Sequence, residues 1–312
     1  MGNLATILDK KVCSGGAGSA NTGKLGCLSL FGTPTHFLLL RKGHIIPKET
    51  TFNIAYISPL VQKGTIIPII DSATFEDVSG EDTYTTNSSG QKRLNLQGLP
   101  EYKFNFEEGH EFYRELSKLK SFKQYDVIIG DDEGNWMMAK NSAGDAVGFS
   151  LGHVTPEARS SKVKGGESES KSVLMQFLDR NQFDKNYGIA HVEELDFAPQ
   201  DIPLVNGVNL AFNAIPVAAG TSIVIKATLS SDNNTPVAGL LAANFVYKVD
   251  GATIAKTVVE TPDGTYTFTV PALVANKVVS FDLWDGTLNV DVTKDAGGLL
   301  YRSDVVSETV LV

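Results

Sequence analysis

Three adjacent carboxylates, Asp131, Asp132 and Glu133, lie in the segment GDDEGNW (130–136) and are the residues best placed to hold a metal ion. A calcium loop, however, needs alternating oxygen ligands, a glycine at its sixth position and a distal glutamate. Here the acids are contiguous and lead directly into the apolar stretch WMMAK. Because Asp, Asn and Gly also favour tight turns, the pattern predicts the turn of a β-hairpin rather than a metal site.

The residues that usually carry catalysis are scattered. The five histidines form no HExxH motif and no close pair, and no Gly-x-Ser-x-Gly segment is present: His36, His44, His110, His153 and His191. Since an active site needs convergent titratable groups, the sequence predicts a protein that is not an enzyme. We therefore expect no catalytic, cofactor-binding or metal-binding residues.

Three further segments could bind ligands. The glycine-rich GGAGSANTGK (15–24) lacks the Gly-to-Lys spacing of a P-loop and is interpreted as part of a flexible N-terminal arm. Cys13 and Cys27 are expected to be free thiols in a reducing compartment, with a disulfide or a zinc site as alternatives. KVKGGESESK (162–171) could contact phosphate through its lysines, but its acidic residues favour an exposed charged loop.

The composition limits the possible partners. The 312-residue chain has 27 basic and 36 acidic side chains and a net charge of −9, without long runs of either sign. Specific nucleic-acid binding needs clustered Lys and Arg, so none is expected. No apolar run is long enough to span a membrane, and the first residues do not have the pattern of a secretory signal.

The most regular pattern of the first two thirds predicts a strand, a helix and a hairpin. Tyr102–Phe106 alternates as a strand, and helical spacing follows Glu107, with Phe112, Tyr113, Leu116 and Leu119 on one face. YDVII (125–129) and WMMAK (136–140) form the predicted hairpin, and further strands are expected at Val147–Val154 and Val173–Leu178. Upstream, prolines favour edge strands or connections at Phe37–Arg41, Phe52–Ile57 and Thr65–Ile70, and residues 79–92 are expected to form an exposed loop.

The last hundred residues have only β patterning. Strands are predicted at these positions: Ser222–Leu229, Asn244–Val249, Thr253–Val259, Thr265–Val270, Val278–Trp284, Leu288–Val292 and Thr309–Val312. About seven short strands with regular turn signals predict an Ig-like sandwich. The chain is therefore expected to contain a first domain of mixed α and β patterning, residues 1–212, and an Ig-like domain, residues 213–312.

Two segments resemble known families. IKATLSSDNNTPVAGL (225–240) with DGTYTFTV (263–270) resembles bacterial Ig-like domains of the invasin type, which also occur on phage virion proteins. GLPEYKFNFEEGHEFYRELSKL (98–119) with YDVIIGDDEGNWMMAK (125–140) resembles the strand, helix and hairpin core of tail tube proteins of tailed bacteriophages.

The resemblances imply a mainly β fold, with a barrel or sandwich flanked by one helix and then an Ig-like sandwich. They further imply a virion structural protein, assembled in the host cytoplasm into homo-oligomeric rings, six-fold by expectation, that stack into a tail tube. DNA would pass without specific binding, and the partners would be the chain itself, other virion proteins and host surface glycan. The alternatives are a head–tail ring or connector, a capsid-decorating protein, or a cell-surface or glycan-binding adhesin module.

Overall fold

The computed structural model describes residues 2–8, 31–160, 169–261 and 264–312. The protein is mainly β and divides into two compact units. Unit 1 comprises Met1–Ile57 and Thr65–Ile202, and unit 2 comprises Ser58–Gly64 and Pro203–Val312. The second unit thus takes in Pro203, ten positions before the expected boundary at residue 213, because the strand that follows pairs within its sheets.

Unit 1 contains fourteen of the described strands and four α-helices, one of which continues into unit 2. The elements are α1 (Leu4–Leu8), β1 (Pro34–Arg41), β2 (Ile45–Ile46), α2 (Ile54–Gln62), β3 (Ile66–Ile69), β4 (Thr74–Asp77), β5 (Thr83–Thr86), β6 (Lys92–Leu96), β7 (Glu101–Phe106), α3 (His110–Ser117), β8 (Ser121–Phe122), β9 (Tyr125–Asp131), β10 (Trp136–Lys140), β11 (Ala146–Val147), β12 (Phe149–Pro156), β13 (Lys171–Phe177), α4 (Arg180–Asp184) and β14 (Tyr187–Ala190). The strand, helix and hairpin predicted around residues 98–140 are confirmed.

Twelve of these strands form one antiparallel sheet whose main path runs β2-β11-β10-β9-β12-β13-β7-β4. β9 also pairs with β1, and β1 pairs with β3. Alternate residues along β13 are buried, as the period of two in a strand requires. Phe37, Phe104, Phe149 and Phe177 contribute to the core on this face, and Tyr113 and Leu116 of α3 pack against it.

Two of the upstream predictions are wrong. Phe37–Arg41 belongs to a central strand, because β1 pairs on both sides and its Phe37–Leu40 segment is fully buried. Residues 54–57 are helical, since α2 begins after Asn53, whose side chain accepts the Tyr56 N–H at 3.0 Å. The Asn53 cap satisfies one of the free N–H groups at the helix start.

Residues 79–92, expected to be a loop, include most of an exposed β-hairpin. β5 and β6 pair with each other in a two-stranded sheet that lies outside the large one.

Unit 2 is a β-sandwich. Its strands are β15 (Val205–Phe212), β16 (Ser222–Leu229), β17 (Phe245–Val249), β18 (Ala252–Thr253), β19 (Thr257–Thr261), β20 (Thr265–Thr269), β21 (Val278–Leu283), β22 (Thr293–Lys294), β23 (Leu300–Ser303) and β24 (Val306–Thr309). One sheet has the order β19-β20-β16-β15-β23-β22 and the other the order β18-β17-β21-β24. The strand expected at Leu288–Val292 is a turn, held by Asp285, which accepts the Thr287 and Leu288 N–H groups.

The core of unit 2 lies between its two sheets. Phe268 of the first sheet meets Phe245 and Phe281 of the second, with ring centroids 5.0 and 4.6 Å apart. Residues from 58 to 64 belong to the same unit, where the Gln62 side-chain amide donates to Asp285 Oδ2 at 2.8 Å. Apolar burial and cross-strand aromatic contacts together stabilise this unit.

Candidate assembly interface

Residues 74–106 form a long two-stranded ribbon in unit 1. Its inner half is the β4–β7 pair at the end of the main sheet, and its outer half is the β5–β6 hairpin. Every residue of β5 and β6 is exposed, on both faces. Most proteins bury at least one face of a sheet, so this outer half, which we call the arm (residues 81–97), needs an explanation.

The arm has a fixed base. The Val78 N–H donates to the Glu101 carbonyl at 2.9 Å and the Gly80 N–H to the Leu99 carbonyl at 3.2 Å, so the ladder continues beyond the main sheet. Gly98 lies directly on Gly80, where a Cβ would come within 1.8 Å of the Gly80 carbonyl oxygen. Only glycine fits such a close backbone approach.

Asp82 ties the arm to the body of unit 1. Its carboxylate accepts the Gly98 N–H at 2.8 Å and pairs with Arg180 of α4 at 3.0 Å. The hydrogen bond from Gly98, followed by the charge of Arg180, lowers the pKa of Asp82 below its ordinary value. The base of the arm is therefore oriented by the fold.

The tip of the arm is a compact turn. The Asn87 side chain accepts the Ser89 and Gln91 N–H groups, and Gly90 adopts a φ of +81°. Asn and Gly are the residues that favour such turns. The sequence signals for a turn are thus present, and the turn joins two paired strands.

The arm exposes apolar side chains. Tyr84 and Leu94 are cross-strand partners and remain 55% and 52% exposed, and Leu96 is 64% exposed. A solvated two-stranded ribbon is marginally stable by itself. These side chains are the kind that become buried when a ribbon contacts another surface.

Charge is unequal along the two edges of the ribbon. Glu76 and Glu81 lie on the β4–β5 edge, whereas Lys92 and Arg93 lie on β6 at the opposite edge. Within the described residues none of these four side chains forms an ion pair. The ribbon therefore has one acidic edge (Glu76, Glu81) and one basic edge (Lys92, Arg93).

The carboxylates of GDDEGNW do not converge on an ion-sized space. Asp131 is fully buried, and its oxygens accept the backbone N–H groups of Gly32, Glu133 and Asn135 at 2.7–3.1 Å. The exposed Asp132 accepts the Thr33 N–H at 3.0 Å. The predicted hairpin turn is confirmed, and Asp131 also holds the chain where it enters β1. No group of three or more potential metal ligands occurs among the described residues.

Three of the histidines contact three different partners. His36 is buried, and its Nδ1 accepts the Asp71 N–H at 3.0 Å. His110 contacts Arg159 at 2.9 Å, and His153 lies 3.5 Å from Glu101.

The structure describes only some of the residues that the sequence analysis considered as ligand-binding candidates. The cysteines, the segment 15–24 and Lys162 and Lys164 lie outside the described residues. Lys171 was expected in an exposed loop, but it is buried in β13, and its ammonium donates to the Tyr113 carbonyl at 3.1 Å. The Lys171 ammonium also donates to the Ser117 hydroxyl, so two residues of α3 hold this side chain against the helix.

Comparisons with known proteins add no relationship: neither a protein-family model nor a curated protein matches the chain. Among the described residues, no helix has the length and hydropathy that a membrane span requires.

Proposed function

We propose that this chain is a structural subunit that binds copies of itself to form closed rings, and that the rings stack into a tail tube of a virion. The observation that carries the proposal is the arm, a rigidly based ribbon with no cover on either face. A ribbon of this kind gains main-chain hydrogen bonds and apolar burial when it joins a neighbouring sheet. It does so without any special side chain.

The charges favour a second copy of the same chain as the partner of the ribbon. Contact between the basic edge of one copy and the acidic edge of the next places Lys92 and Arg93 near Glu76 or Glu81, which are five residues apart along the chain. Because the two edges are different surfaces, the contact is heterologous, and such contacts form rings when the rotation between copies closes. Opposite charges facing each other across paired strands stabilise the pairing.

Unit 2 supplies a separate module in this proposal. Its sandwich architecture supports the Ig-like assignment, and the resemblance to invasin-type domains suggests contact with host surface glycan or other virion proteins. DNA passes through the tube without specific binding, in keeping with the net charge of −9. The protein is then a component of the virion, not an enzyme.

Electron microscopy of the purified full-length chain tests the proposal. Negative-stain images are expected to show rings or tubes, and light scattering to show a multiple of the 33.5 kDa subunit mass. A chain that remains monomeric at high micromolar concentration would contradict the proposal.

Exchanging the charges of the acidic and basic edges tests the contact between them. Lys92→Glu with Arg93→Glu is expected to abolish rings, and the further changes Glu76→Lys and Glu81→Lys are expected to restore them. Lys63→Glu with Lys226→Glu is the matched control, because both lysines are exposed and the net charge changes equally. Loss of rings in the control as well would show that only total charge matters.

A further inference from the structure

Besides the edges of the ribbon, a strand edge in unit 2 pairs with no other described strand. β19 ends the six-stranded sheet and pairs only with β20. Val258 is partly buried against the core, while Val259, on the other face, is 65% exposed. The strand TVVET is β-branched at four of five positions and has no proline, so its free edge is able to accept another strand.

Two oppositely charged side chains flank Val258 on the inner face. Glu260 faces Tyr266 across the ladder, and its carboxylate accepts the Gly239 N–H at 3.0 Å. Lys256 is half-buried one residue before the strand, and burial lowers its pKa. Within the described part of the chain neither side chain forms an ion pair.

These two residues do not reach each other within one chain. Four residues of extended strand separate their Cα atoms by about 13 Å. In an antiparallel pair of identical strands centred on Val258, Lys256 of each copy lies opposite Glu260 of the other. The strand is thus electrostatically self-complementary in one register.

We propose that the β19 edges of two copies pair antiparallel about a two-fold axis at Val258. The pairing joins two six-stranded sheets, brings the two Val258 side chains together and forms two Lys256–Glu260 ion pairs. The two end strands of the other sheet have no such complement, since β24 carries a single charged residue, Glu308, and β18 carries none. The occupant of the β19 edge is therefore a second copy of this chain.

This contact is separate from the ring contact. A two-fold interface uses the same surface on both copies, whereas the ring needs two different surfaces. Neighbouring subunits of a head-to-tail ring are not related by a two-fold axis, so β19 pairing connects chains that are not neighbours in one ring. The two proposals can therefore succeed or fail independently.

Sedimentation velocity tests the pairing in the full chain carrying Lys92→Glu and Arg93→Glu, in which the ring contact is removed. A concentration-dependent dimer is expected. Lys256→Glu is expected to weaken the dimer about tenfold, because two attractive cross-strand pairs become repulsive. Adding Glu260→Lys is expected to recover most of the lost affinity, whereas Lys226→Glu, at an exposed lysine of β16, leaves it unchanged.

Cysteine cross-linking supplies a second measurement that does not depend on the Lys92→Glu and Arg93→Glu changes. Val258→Cys is expected to form a disulfide between the introduced thiols of two copies, identified by peptide mass spectrometry, since directly opposed strand residues lie within disulfide range. Val259→Cys, which faces residue 257 in this register, is the matched control and is expected to cross-link far more slowly.

Three outcomes would each overturn the proposal. The first is a strictly monomeric chain when Lys92→Glu and Arg93→Glu are present. The second is a dimer whose affinity Lys256→Glu leaves unaffected. The third is equal cross-linking through the thiols introduced at positions 258 and 259.

Discussion

At the scale of single residues, Asp131 shows how carboxylates that suggest a metal site can organise backbone instead. It is fully buried and accepts backbone N–H groups before and after the turn, together with the side-chain amide of Asn135 at 2.8 Å. Buried acceptors are stable only when such donors reach them. Because its partners lie 99 residues away at Gly32 as well as next to it, Asp131 connects the start of β1 to the β9–β10 turn.

Replacing Asp131 is expected to destabilise unit 1. Asp131→Ala leaves several buried N–H groups without an acceptor, at a cost of about 3 kcal/mol in the free energy of unfolding. Asp132→Ala is the control, because it removes one hydrogen bond at an exposed residue and is expected to cost less than about 1 kcal/mol. Urea denaturation, followed by Trp136 fluorescence in a Trp284→Phe background, measures both values.

His36 makes the stability of unit 1 depend on pH. Burial lowers the pKa of His36 below its ordinary value of 6.5, and the charges of Asp71, Asp131 and Asp132 oppose this only in part. The unfolded chain therefore takes up a proton at a higher pH than the folded one does. Stability is complete above the ordinary histidine pKa and declines as the pH falls below it.

We expect His36→Asn to reduce this decline, since the Asn oxygen can replace Nδ1 as acceptor for the Asp71 N–H without titrating. Part of the decline persists because burial lowers the pKa of His44 as well. His110→Asn, at an exposed histidine, is the control. Thermal unfolding between pH 7 and pH 5 provides the comparison; identical profiles for His36→Asn and the unaltered chain would exclude the mechanism.

At the scale of elements, the arm is the clearest case in which local pattern and structure differ. Polar residues and turn signals in 79–92 predict a loop, yet this segment contains β5 and the first residue of β6, and the two strands pair. Alternation of apolar and polar residues reports burial of one face, and neither face of the arm is buried. Residues 83–92 therefore lack the signal by which strands are usually predicted, and the alternation of Leu94, Asn95 and Leu96 begins only after them.

Gly98→Ala tests whether the base of the arm sets its direction. The new Cβ conflicts with the Gly80 carbonyl, so the two strands must separate at the base. We expect ring formation to decrease sharply in electron micrographs while unit 1 stays folded by circular dichroism. Gly109→Ala is the matched control, because nothing lies within 4 Å of its added Cβ. If Gly98→Ala forms as many rings as the unaltered chain, the direction of the arm does not determine the contact between copies.

Helix α2 is a case in which a strand was predicted and a helix is found. Its apolar residues and Pro59 favour an interrupted strand, but the segment is a helix in which the Tyr56 N–H donates to the Asn53 side chain and Ile57 is fully buried. A short apolar run does not distinguish strand from helix, so its surroundings decide. Proline inside a helix removes one hydrogen bond, and that cost is offset by burial.

At the scale of the whole molecule, the two units have separate cores and are expected to unfold in separate steps. Tyr266→Phe is expected to affect only unit 2. Its hydroxyl donates to the Val237 carbonyl at 2.7 Å and accepts the Leu240 N–H at 3.2 Å in a buried position. Losing this hydroxyl costs about 1–2 kcal/mol.

Single-tryptophan chains measure this difference. In a Trp136→Phe background, the transition reported by Trp284 is expected to shift to lower urea with Tyr266→Phe. In a Trp284→Phe background, the transition reported by Trp136 is expected to stay in place. Equal shifts of both reporters would show that the two units unfold as one cooperative body.

The sequence by itself determined the mainly β class, the strand, helix and hairpin of residues 98–140, and most strands of the sandwich. These features have a local cause, since hydrophobic period and turn residues act over a few positions. Only the tertiary structure decided that β1 is central, that residues 54–62 are helical, and that the ribbon extends past the sheet. Those features depend on partners distant in sequence, such as Gly32 with Asp131 or Asp82 with Arg180, and no local pattern records such pairs.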